Sequence, residues 1–502
     1  MASQSDVTVK GILRYSVKFN AANIIAKALS FLTTIVIAVV LMPEDYGVLS
    51  LVGLWSTYAA LIDPGMDSAA QREMPFLLGK GEEERALHLQ NIAISGKILF
   101  SLLPFLVVLS ASFFYSDELT LNALIITAIS FIVTANTKYW IGFNYARQRF
   151  NKVVIGNLIT GIVTPALTLA LVFWLKLYAV LIVPIIGTLL AFFYYLKKAD
   201  INYHFKLNWR ETVALMKIGL PLVLLTLVYW SYRIADKTMI ATYLPLRELG
   251  IYSFAVTFIM VAISFFSDFA NVLQPTLWTS LGKTDDPVQG FKPMRRIAVY
   301  ISIMSAISIG VFQFGFFILA HFITTKYLQS IPVFNVLAFN IFSVSMAMVP
   351  NLVLNSSVVN KQTLNTLIWA IGLVLNIILY YVVITMGLGI VGVAWAAIGM
   401  QTIITLILFF VIRRYMLPDK RELGRFVGKI FFPFLVSLVL YLVSLFLKNQ
   451  IQSTYLYLGS LFALFLLAWL VVIRLFYQDY FPKEKILDIF KKGIFMLKNM
   501  RL

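Results

Sequence analysis

The chain has 502 residues, of which 60% are hydrophobic and 13% are charged, and its formal net charge is +18. A soluble domain carries about 25% charged residues, so this composition excludes an ordinary soluble protein and indicates one that lies mostly in a membrane. The sequence has no cysteine, which excludes disulfide and thiol chemistry, and its three histidines are far apart, without metal-ligand spacing.

Long apolar runs recur along the chain. A helix needs about 20 apolar residues to cross a bilayer. By this measure we predict fourteen membrane-spanning helices, at residues 17–41, 48–70, 91–115, 119–145, 153–176, 178–196, 214–238, 249–275, 297–324, 330–355, 364–386, 388–412, 427–447 and 455–476. The first run contains Lys27 and is followed by Met42 and Pro43, without a small-residue cleavage site, so we expect it to remain as helix 1.

Basic residues alternate between the loops. Numbered from a cytoplasmic N-terminus, the even-numbered loops and the termini carry thirty-three Lys/Arg, with Lys97 counted among them. The odd-numbered loops carry four: Lys176, Arg247, Lys326 and Lys448. The remaining four are assigned to the predicted spans themselves: Lys27, Lys138, Arg233 and Lys237. This asymmetry predicts a cell-membrane protein with both termini in the cytoplasm. The positive charge fits orientation and contact with anionic lipid heads, so nucleic acid is not an expected partner.

The loops also suggest how the chain is organised. All are too short for a soluble catalytic domain, so we do not expect an enzyme or catalytic residues. Residues 207–217 read as a short amphipathic helix on the membrane surface. We predict an N-terminal lobe at 1–200, a linker at 201–217, a second lobe at 218–415, two further helices at 416–480 and a basic cytoplasmic tail at 481–502.

Two short segments look like copies of one motif. Residues 41–50 read Leu-Met-Pro-Glu-Asp-Tyr-Gly-Val-Leu-Ser, and residues 243–253 read Tyr-Leu-Pro-Leu-Arg-Glu-Leu-Gly-Ile-Tyr-Ser. Both follow helices that run the same way through the membrane in the predicted topology. A parallel repeat of this kind is typical of two-lobed transporters that hold their substrate between the lobes.

Polar residues form a stripe on predicted helix 1. Asn20, Asn23, Lys27, Ser30 and Thr34 are spaced 3, 4, 3 and 4 residues apart, which places them on one helix face. An intramembrane lysine costs at least about 2.5–3.5 kcal/mol, so Lys27 has to face the protein interior or a wet cavity. Two interpretations stay open: Lys27 and Asn23 line a substrate cavity, or Lys27 ties helices together through an ion pair.

Helix 7 repeats this pattern with more charge. Arg233 and Lys237 share one face with Thr226 and Trp230, and Asp236 can offset only one of the two cations. Arginine presents a planar fork suited to phosphate, whereas lysine acts as a point charge. We therefore predict that Lys27 and Arg233 hold an anionic substrate. Lys138 in helix 4 either joins that site or extends to the membrane interface.

Carboxylates within the spans are candidates for ion coupling. Asp268 lies on a polar face of helix 8 and either carries a proton or sodium ion or pairs with a cation. Asp63 and Asp67 flank Pro64 and Gly65, which break helix 2, and broken helices at membrane depth need a cavity. No metal site, cofactor motif or nucleotide-binding loop is expected.

Together these segments resemble a known family. Residues 43–47, then Asp63, Pro64 and Gly65 followed by Arg72, look like the start of a polysaccharide flippase of the multidrug/oligosaccharidyl-lipid/polysaccharide (MOP) superfamily. Residues 236–240 leading to 250–253 resemble its second-lobe signature, and residues 387–394 resemble the glycine-rich opening of its helix 12. The resemblance implies an all-α membrane protein with two six-helix lobes forming a V, plus two C-terminal helices, and includes Arg72 among the substrate-binding residues.

The resemblance also implies an activity. It is the export of a polyprenyl-diphosphate-linked oligosaccharide from the inner to the outer leaflet by alternating access, for cell-surface polysaccharide synthesis. The expected partners are the lipid-linked glycan, membrane lipids and other polysaccharide assembly proteins, with coupling to a proton or sodium gradient. Alternatives are a lipid II-type flippase or a multidrug/cation antiporter on the same fold, and, from another class, a membrane-embedded glycan polymerase or glycosyltransferase.

Overall fold

The computed structural model describes residues 26–62, 73–74, 77, 80–146, 149–197, 208–281, 287–356, 358–416, 420–451 and 453–480. Within these ranges the chain is helical and contains no β-strand. The predicted cytoplasmic tail at 481–502 lies outside the described residues.

Fourteen main helices can be labelled in the described residues: α1 (Ala26–Val40), α2 (Pro43–Ala60), α3 (Glu83–Ser112), α4 (Glu118–Ala146), α5 (Asn151–Leu175), α6 (Leu177–Lys197), α7 (Trp209–Tyr243), α8 (Leu246–Leu281), α9 (Lys292–Ile318), α10 (Ser330–Leu354), α11 (Gln362–Thr385), α12 (Gly389–Met416), α13 (Lys420–Gln450) and α14 (Thr454–Phe476). They follow the predicted spans in chain order. Eleven of the described helices are long and apolar enough to cross a membrane. The all-helical membrane fold is therefore confirmed, while fourteen crossings stays a prediction, because α1, α2 and α7 are not among the eleven.

Small residues allow α5 and α6 to pack closely. A Cβ on Gly156 would lie 2.0 Å from the Tyr195 hydroxyl, and one on Gly187 would lie 2.1 Å from the Thr164 hydroxyl. Within a membrane, where lipid is as apolar as the helices, such close backbone approach is a main source of helix association. A single π-turn, Ile159–Val163, precedes Pro165 in α5. Pro165 has no N–H to donate, so the regular hydrogen-bond ladder changes there.

The linker between the predicted lobes differs from the sequence-based expectation. Its described part is not a separate surface helix, because α7 runs without a break from Trp209. Asn208 caps the helix by accepting a hydrogen bond from the Arg210 backbone N–H at 3.2 Å. Leu215 is buried in an apolar cluster with Tyr139 of α4, so this segment packs on the protein. Residues 201–207 lie outside the described residues.

Two compact units are seen in the contacts of the chain. Unit 1 comprises Met1–Phe254, Ile323–Ser330 and Trp369–Val393, and unit 2 comprises Ala255–Phe322, Ile331–Ile368 and Ala394–Leu502. In unit 1, α2 packs against α4, α3 and α7. In unit 2, α9 packs against α10 and α13. The division into lobes at 1–200 and 218–415 stays a prediction.

In unit 1 the two copies of the sequence motif meet. A Cβ on Gly47 of α2 would lie 2.0 Å from the Leu246 carbonyl oxygen, and one on Gly250 of α8 would lie 1.9 Å from the Pro43 carbonyl oxygen. The two helix N-termini therefore touch backbone to backbone, each through its own glycine. We call Pro43, Gly47, Leu246 and Gly250 the glycine junction.

Side chains surround the glycine junction. Arg247 and Glu44 form an ion pair at 3.6 Å across it. The Lys326 Nζ donates to the Val39 carbonyl oxygen at 2.7 Å, and the Tyr327 hydroxyl donates to the Leu41 carbonyl oxygen at 3.2 Å. The carbonyl groups at the end of α1, which lack helical donors, thus receive hydrogen bonds from the segment between α9 and α10.

Candidate functional site

The charged face of α7 forms the centre of the candidate site. The Arg233 Nη1 donates a hydrogen bond to the Tyr229 hydroxyl at 2.9 Å, one helical turn away. The Tyr229 ring packs edge-on against Trp369 of α11, with ring centroids 5.7 Å apart. The guanidinium of Arg233 is therefore oriented by aromatic neighbours. Because Arg233 is only half-buried, it keeps partial access to the surroundings. A cation held in this way is suited to binding an anion.

A polar network lies one turn further along α7. The Asp236 carboxylate accepts a hydrogen bond from the Tyr252 hydroxyl of α8 at 2.7 Å and another from the Lys237 backbone N–H at 2.7 Å. On α11, the Asn376 side chain hydrogen-bonds the Tyr380 hydroxyl, which lies near Asp236. Tyr252 is 0% exposed and Asn376 is 1% exposed. This carboxylate is therefore anchored by neighbouring helices.

Electrostatically, this region has a cationic surplus. Arg233 and Lys237 both act on the Asp236 carboxylate, as the sequence suggested. We call Tyr229, Arg233, Asp236 and Lys237 the helix-7 cluster. It contains two cationic side chains and one anionic side chain, and this excess is the cationic surplus of the cluster. Because Asp236 is fixed by Tyr252, the Arg233 fork is the group best placed to meet a ligand.

The other predicted substrate-binding residues are distributed as follows. Lys27 lies on α1 and is exposed. Asn23 and Arg72 lie outside the described residues, as do the coupling candidates Asp63 and Asp67. Asp268 lies in α8, but its side chain is outside the described part of the structure. The roles assigned to all of these residues stay predictions.

Lys138 lies in a small cavity of unit 1 together with a second lysine. The cavity has a volume of about 60 Å³ and is bounded by α2, α3 and α4. Lys97 also lines it. The sequence-based assignment of Lys97 to a loop is wrong: it lies well inside α3, and only 4% of the residue is exposed.

Unit 2 contains a larger cavity of a different kind. It has a volume of about 140 Å³ and lies between α9, α13 and α14. Aromatic residues such as Phe314 and Phe462 line it, and none of its described lining residues is charged. This cavity can accommodate an apolar group. The side chains suited to an anion belong to unit 1, in the helix-7 cluster and in the cavity lined by Lys97 and Lys138.

Sequence reasoning missed the residues that support the helix-7 cluster from α8 and α11. Trp369, Asn376 and Tyr380 are spaced 7 and 4 residues apart, which places them on one face of α11. A polar residue within such an apolar helix was the available signal. Among the described residues, no group of three or more His, Asp or Glu is placed to hold a metal ion.

Comparison with known proteins places these features in a family. Residues 17–280 match the sequence profile described as "Polysaccharide biosynthesis protein". None of the curated protein sequences matches the chain significantly. The structure is similar to that of the lipid II flippase MurJ in an inward closed conformation, with a TM-score of 0.70 at 15% identity, covering 92% of this chain and 99% of that chain.

A multidrug transporter has a similar structure as well. An inward-facing multidrug resistance MATE family transporter of the MOP superfamily has a TM-score of 0.64 at 14% identity, covering 80% of this chain and 96% of that chain. At these identities the similarity establishes the fold. The family match supports the predicted resemblance to polysaccharide biosynthesis proteins, and the structural similarity confirms a fold of the kind found in MurJ and MATE transporters.

Proposed function

The chain belongs to the polysaccharide biosynthesis protein family, and from this premise we propose that it exports an anionic polyprenyl-diphosphate-linked oligosaccharide from the inner to the outer leaflet of the cell membrane. The family and the fold suggest a transporter rather than an enzyme. The product serves cell-surface polysaccharide synthesis, in which other assembly proteins use the exported glycan. Both termini lie in the cytoplasm in this proposal, as the Lys/Arg asymmetry predicts.

The observation that carries this proposal is the cationic surplus of the helix-7 cluster. A diphosphate brings more than one negative charge into the membrane, and an uncompensated anion there is costly. The Arg233 fork can form two parallel hydrogen bonds to a phosphate group. A drug/cation antiporter on the same fold would need the opposite charge at its site, so the surplus disfavours that alternative.

Alternating access is the mechanism that fits this fold and substrate. The diphosphate and sugars bind at the cationic site while the polyprenyl tail stays in lipid. Conversion between inward-open and outward-open states then moves the head group across. We propose that a proton or sodium gradient drives the cycle, with Asp268, Asp63 or Asp67 as the coupling carboxylate.

The proposal can be tested by measuring transport in proteoliposomes that contain the purified protein and a polyprenyl-diphosphate oligosaccharide. Arg233→Ala and Lys27→Ala should each abolish or strongly reduce transport, since each removes a cation from the site. Loss of a hydrogen bond to a charged group costs about 1.5–3 kcal/mol, or about a 10- to 150-fold decrease. Arg233→Glu should be worse, because it repels the diphosphate.

The matched control is Arg474→Ala, which removes an exposed cation at the end of α14 in unit 2. It should transport like the wild type. Normal transport by both Arg233→Ala and Lys27→Ala at normal protein levels would refute the site. Transport of lipid II, supplied as the substrate in the same vesicles, tests the lipid II-type alternative. Mass spectrometry of the lipid-linked glycans that accumulate in a deletion strain identifies the sugar.

A further inference from the structure

The cavity that contains Lys97 and Lys138 has the composition of an anion site. We call it the two-lysine pocket and define it by Lys97, Ser101, Thr134 and Lys138, with Phe100 and Phe131 as its aromatic walls. Two lysines and two hydroxyl-bearing residues, from two different helices, are among the residues that line one space. None of the described residues that line it is acidic. Its two lysine side chains carry N–H donors suited to a negatively charged group.

The size of the pocket is sufficient for a phosphate group. Its volume is about 60 Å³, whereas a cavity of about 10–15 Å³ is enough for one water. The space therefore has room for a phosphate group.

Lys97 is the buried lysine of the pocket. It lies inside an apolar helix that is long enough to cross a membrane, and it is 4% exposed. Intramembrane lysines face a partner or a polar cavity, which makes them functional-site candidates. Ser101, one of the lining residues, lies at the break in α3 between Phe100 and Leu102. The Ser101 hydroxyl donates its single O–H to the Ile98 carbonyl oxygen at 2.7 Å, so the donors to a ligand are the two lysines.

An aromatic side chain lies just beyond the pocket wall. Trp209, the first residue of α7, stacks on Phe100 with ring centroids 6.3 Å apart and an interplanar angle of 26°. Trp209 is 60% exposed, so its ring offers a flat surface beside the pocket. Aromatic faces combine an apolar body with a polar edge and suit the face of a sugar ring.

We propose that the two-lysine pocket is a second anion site that binds the phosphate of a phosphate-bearing membrane ligand, with a sugar attached to that phosphate lying over Trp209. The shared chemistry is a phosphate ester on a lipid. It occurs both in the lipid-linked glycan and in anionic phospholipids. The assignment to the glycan rests on the proposed function, whereas the binding of phosphate does not.

The first experiment measures binding of inorganic phosphate to the purified full-length protein by isothermal titration calorimetry. All variants carry Arg233→Ala, which removes the helix-7 cluster as a competing anion site. We expect saturable binding that weakens at least tenfold in Lys138→Gln and in Lys97→Gln. Lys138→Arg keeps the charge and should retain most of the affinity, and Lys448→Gln, an exposed control on α13, should be unchanged.

Some outcomes would overturn the site. These are equal affinity in Lys138→Gln and Lys448→Gln, or no saturable binding by the parent protein. Lys97 is buried, so its variant can fail to fold; in that case Lys138→Gln, at an exposed position, decides the result alone. This binding measurement does not depend on transport, so a failure of the proposed function leaves it interpretable.

The second experiment identifies the source of the phosphate by competition. A short-chain prenyl-diphosphate sugar is compared with phosphatidylglycerol in nanodiscs, and the measurement is whether each displaces inorganic phosphate. Displacement by the sugar compound alone, weakened severalfold by Trp209→Ala, supports the glycan. Displacement by phosphatidylglycerol alone supports a lipid headgroup and overturns the sugar assignment. Displacement by neither overturns the proposal.

Discussion

The glycine junction predicts that one methyl group at either of two positions will separate α2 from α8. In Gly47→Ala the new Cβ would lie 2.0 Å from the Leu246 carbonyl oxygen, and real Cβ contacts are essentially never below 3.0 Å. The backbones must therefore part by at least 1.0 Å. In Gly250→Ala the new Cβ meets the Pro43 carbonyl oxygen at 1.9 Å.

The magnitude follows from two opposing effects. Overpacking costs about 1–3 kcal/mol, and we expect the upper end, because a backbone carbonyl cannot rotate away as a side chain does. Alanine improves helix propensity by about 1 kcal/mol over glycine, which offsets part of that cost. The net loss of about 2 kcal/mol corresponds to an approximately 30-fold shift in the equilibrium away from the closed junction.

Gly53 provides the matched control in the same helix. It is exposed, and nothing lies within 4 Å of the position that its Cβ would take. Gly53→Ala should therefore gain only the propensity term of up to about 1 kcal/mol. The double variant Gly47→Ala/Gly250→Ala should lose less than the two single losses combined, because both methyl groups separate the same pair of helix ends.

The assay uses the absence of cysteine in the chain. Glu44→Cys and Arg247→Cys replace an ion pair that spans 3.6 Å across the junction, and a short bifunctional thiol reagent reports whether the two positions stay close. Cross-linking yield and melting temperature should fall in the Gly47→Ala and Gly250→Ala backgrounds but not in Gly53→Ala. Wild-type cross-linking and melting in Gly47→Ala would refute this account of the repeat.

Three further predictions concern coupling, pH and topology. If Asp268 carries the coupling proton, Asp268→Asn should leave a stable protein that binds glycan but loses gradient-driven transport. A lowered melting temperature would show a structural role instead. Unchanged gradient dependence would remove Asp268 from the mechanism. Asp117 accepts hydrogen bonds from the backbone N–H and hydroxyl of Thr120, and these bonds lower the pKa of its carboxyl below 3.8. Its stabilising effect is therefore full above pH 3.8 and is lost as the pH falls, so Asp117→Ala should lower the melting temperature at pH 7 and converge with the wild type in acid. Reporter fusions after Gln450 should be outside and fusions after Tyr480 inside; the same side for both would show that α14 is not a span.

Local sequence patterns predict the helices of this protein, whereas the contacts between helices depend on residues far apart in the chain. The described helices follow the predicted spans in order, because the length of an apolar run is a local property that a bilayer compares with its own thickness. Motifs spread along the chain identified the family before any contact was known. The interpretation of residues 207–217 was incomplete because it used local information alone. Their amphipathic pattern is local, but the surface that covers their apolar face is contributed by α3 and α4.

The sequence by itself determined the class of protein, the order of its helices and the presence of costly charges within them. Only the tertiary structure decided which of these groups meet. Lys97 and Lys138 belong to different helices, yet they line one cavity. Asp236 is anchored by Tyr252 of the next helix, and Gly47 fits against Leu246. A helix period tells which residues share a face, but it does not tell which face of another helix lies opposite. Packing settles that choice, because it depends on the shapes of all the helices together.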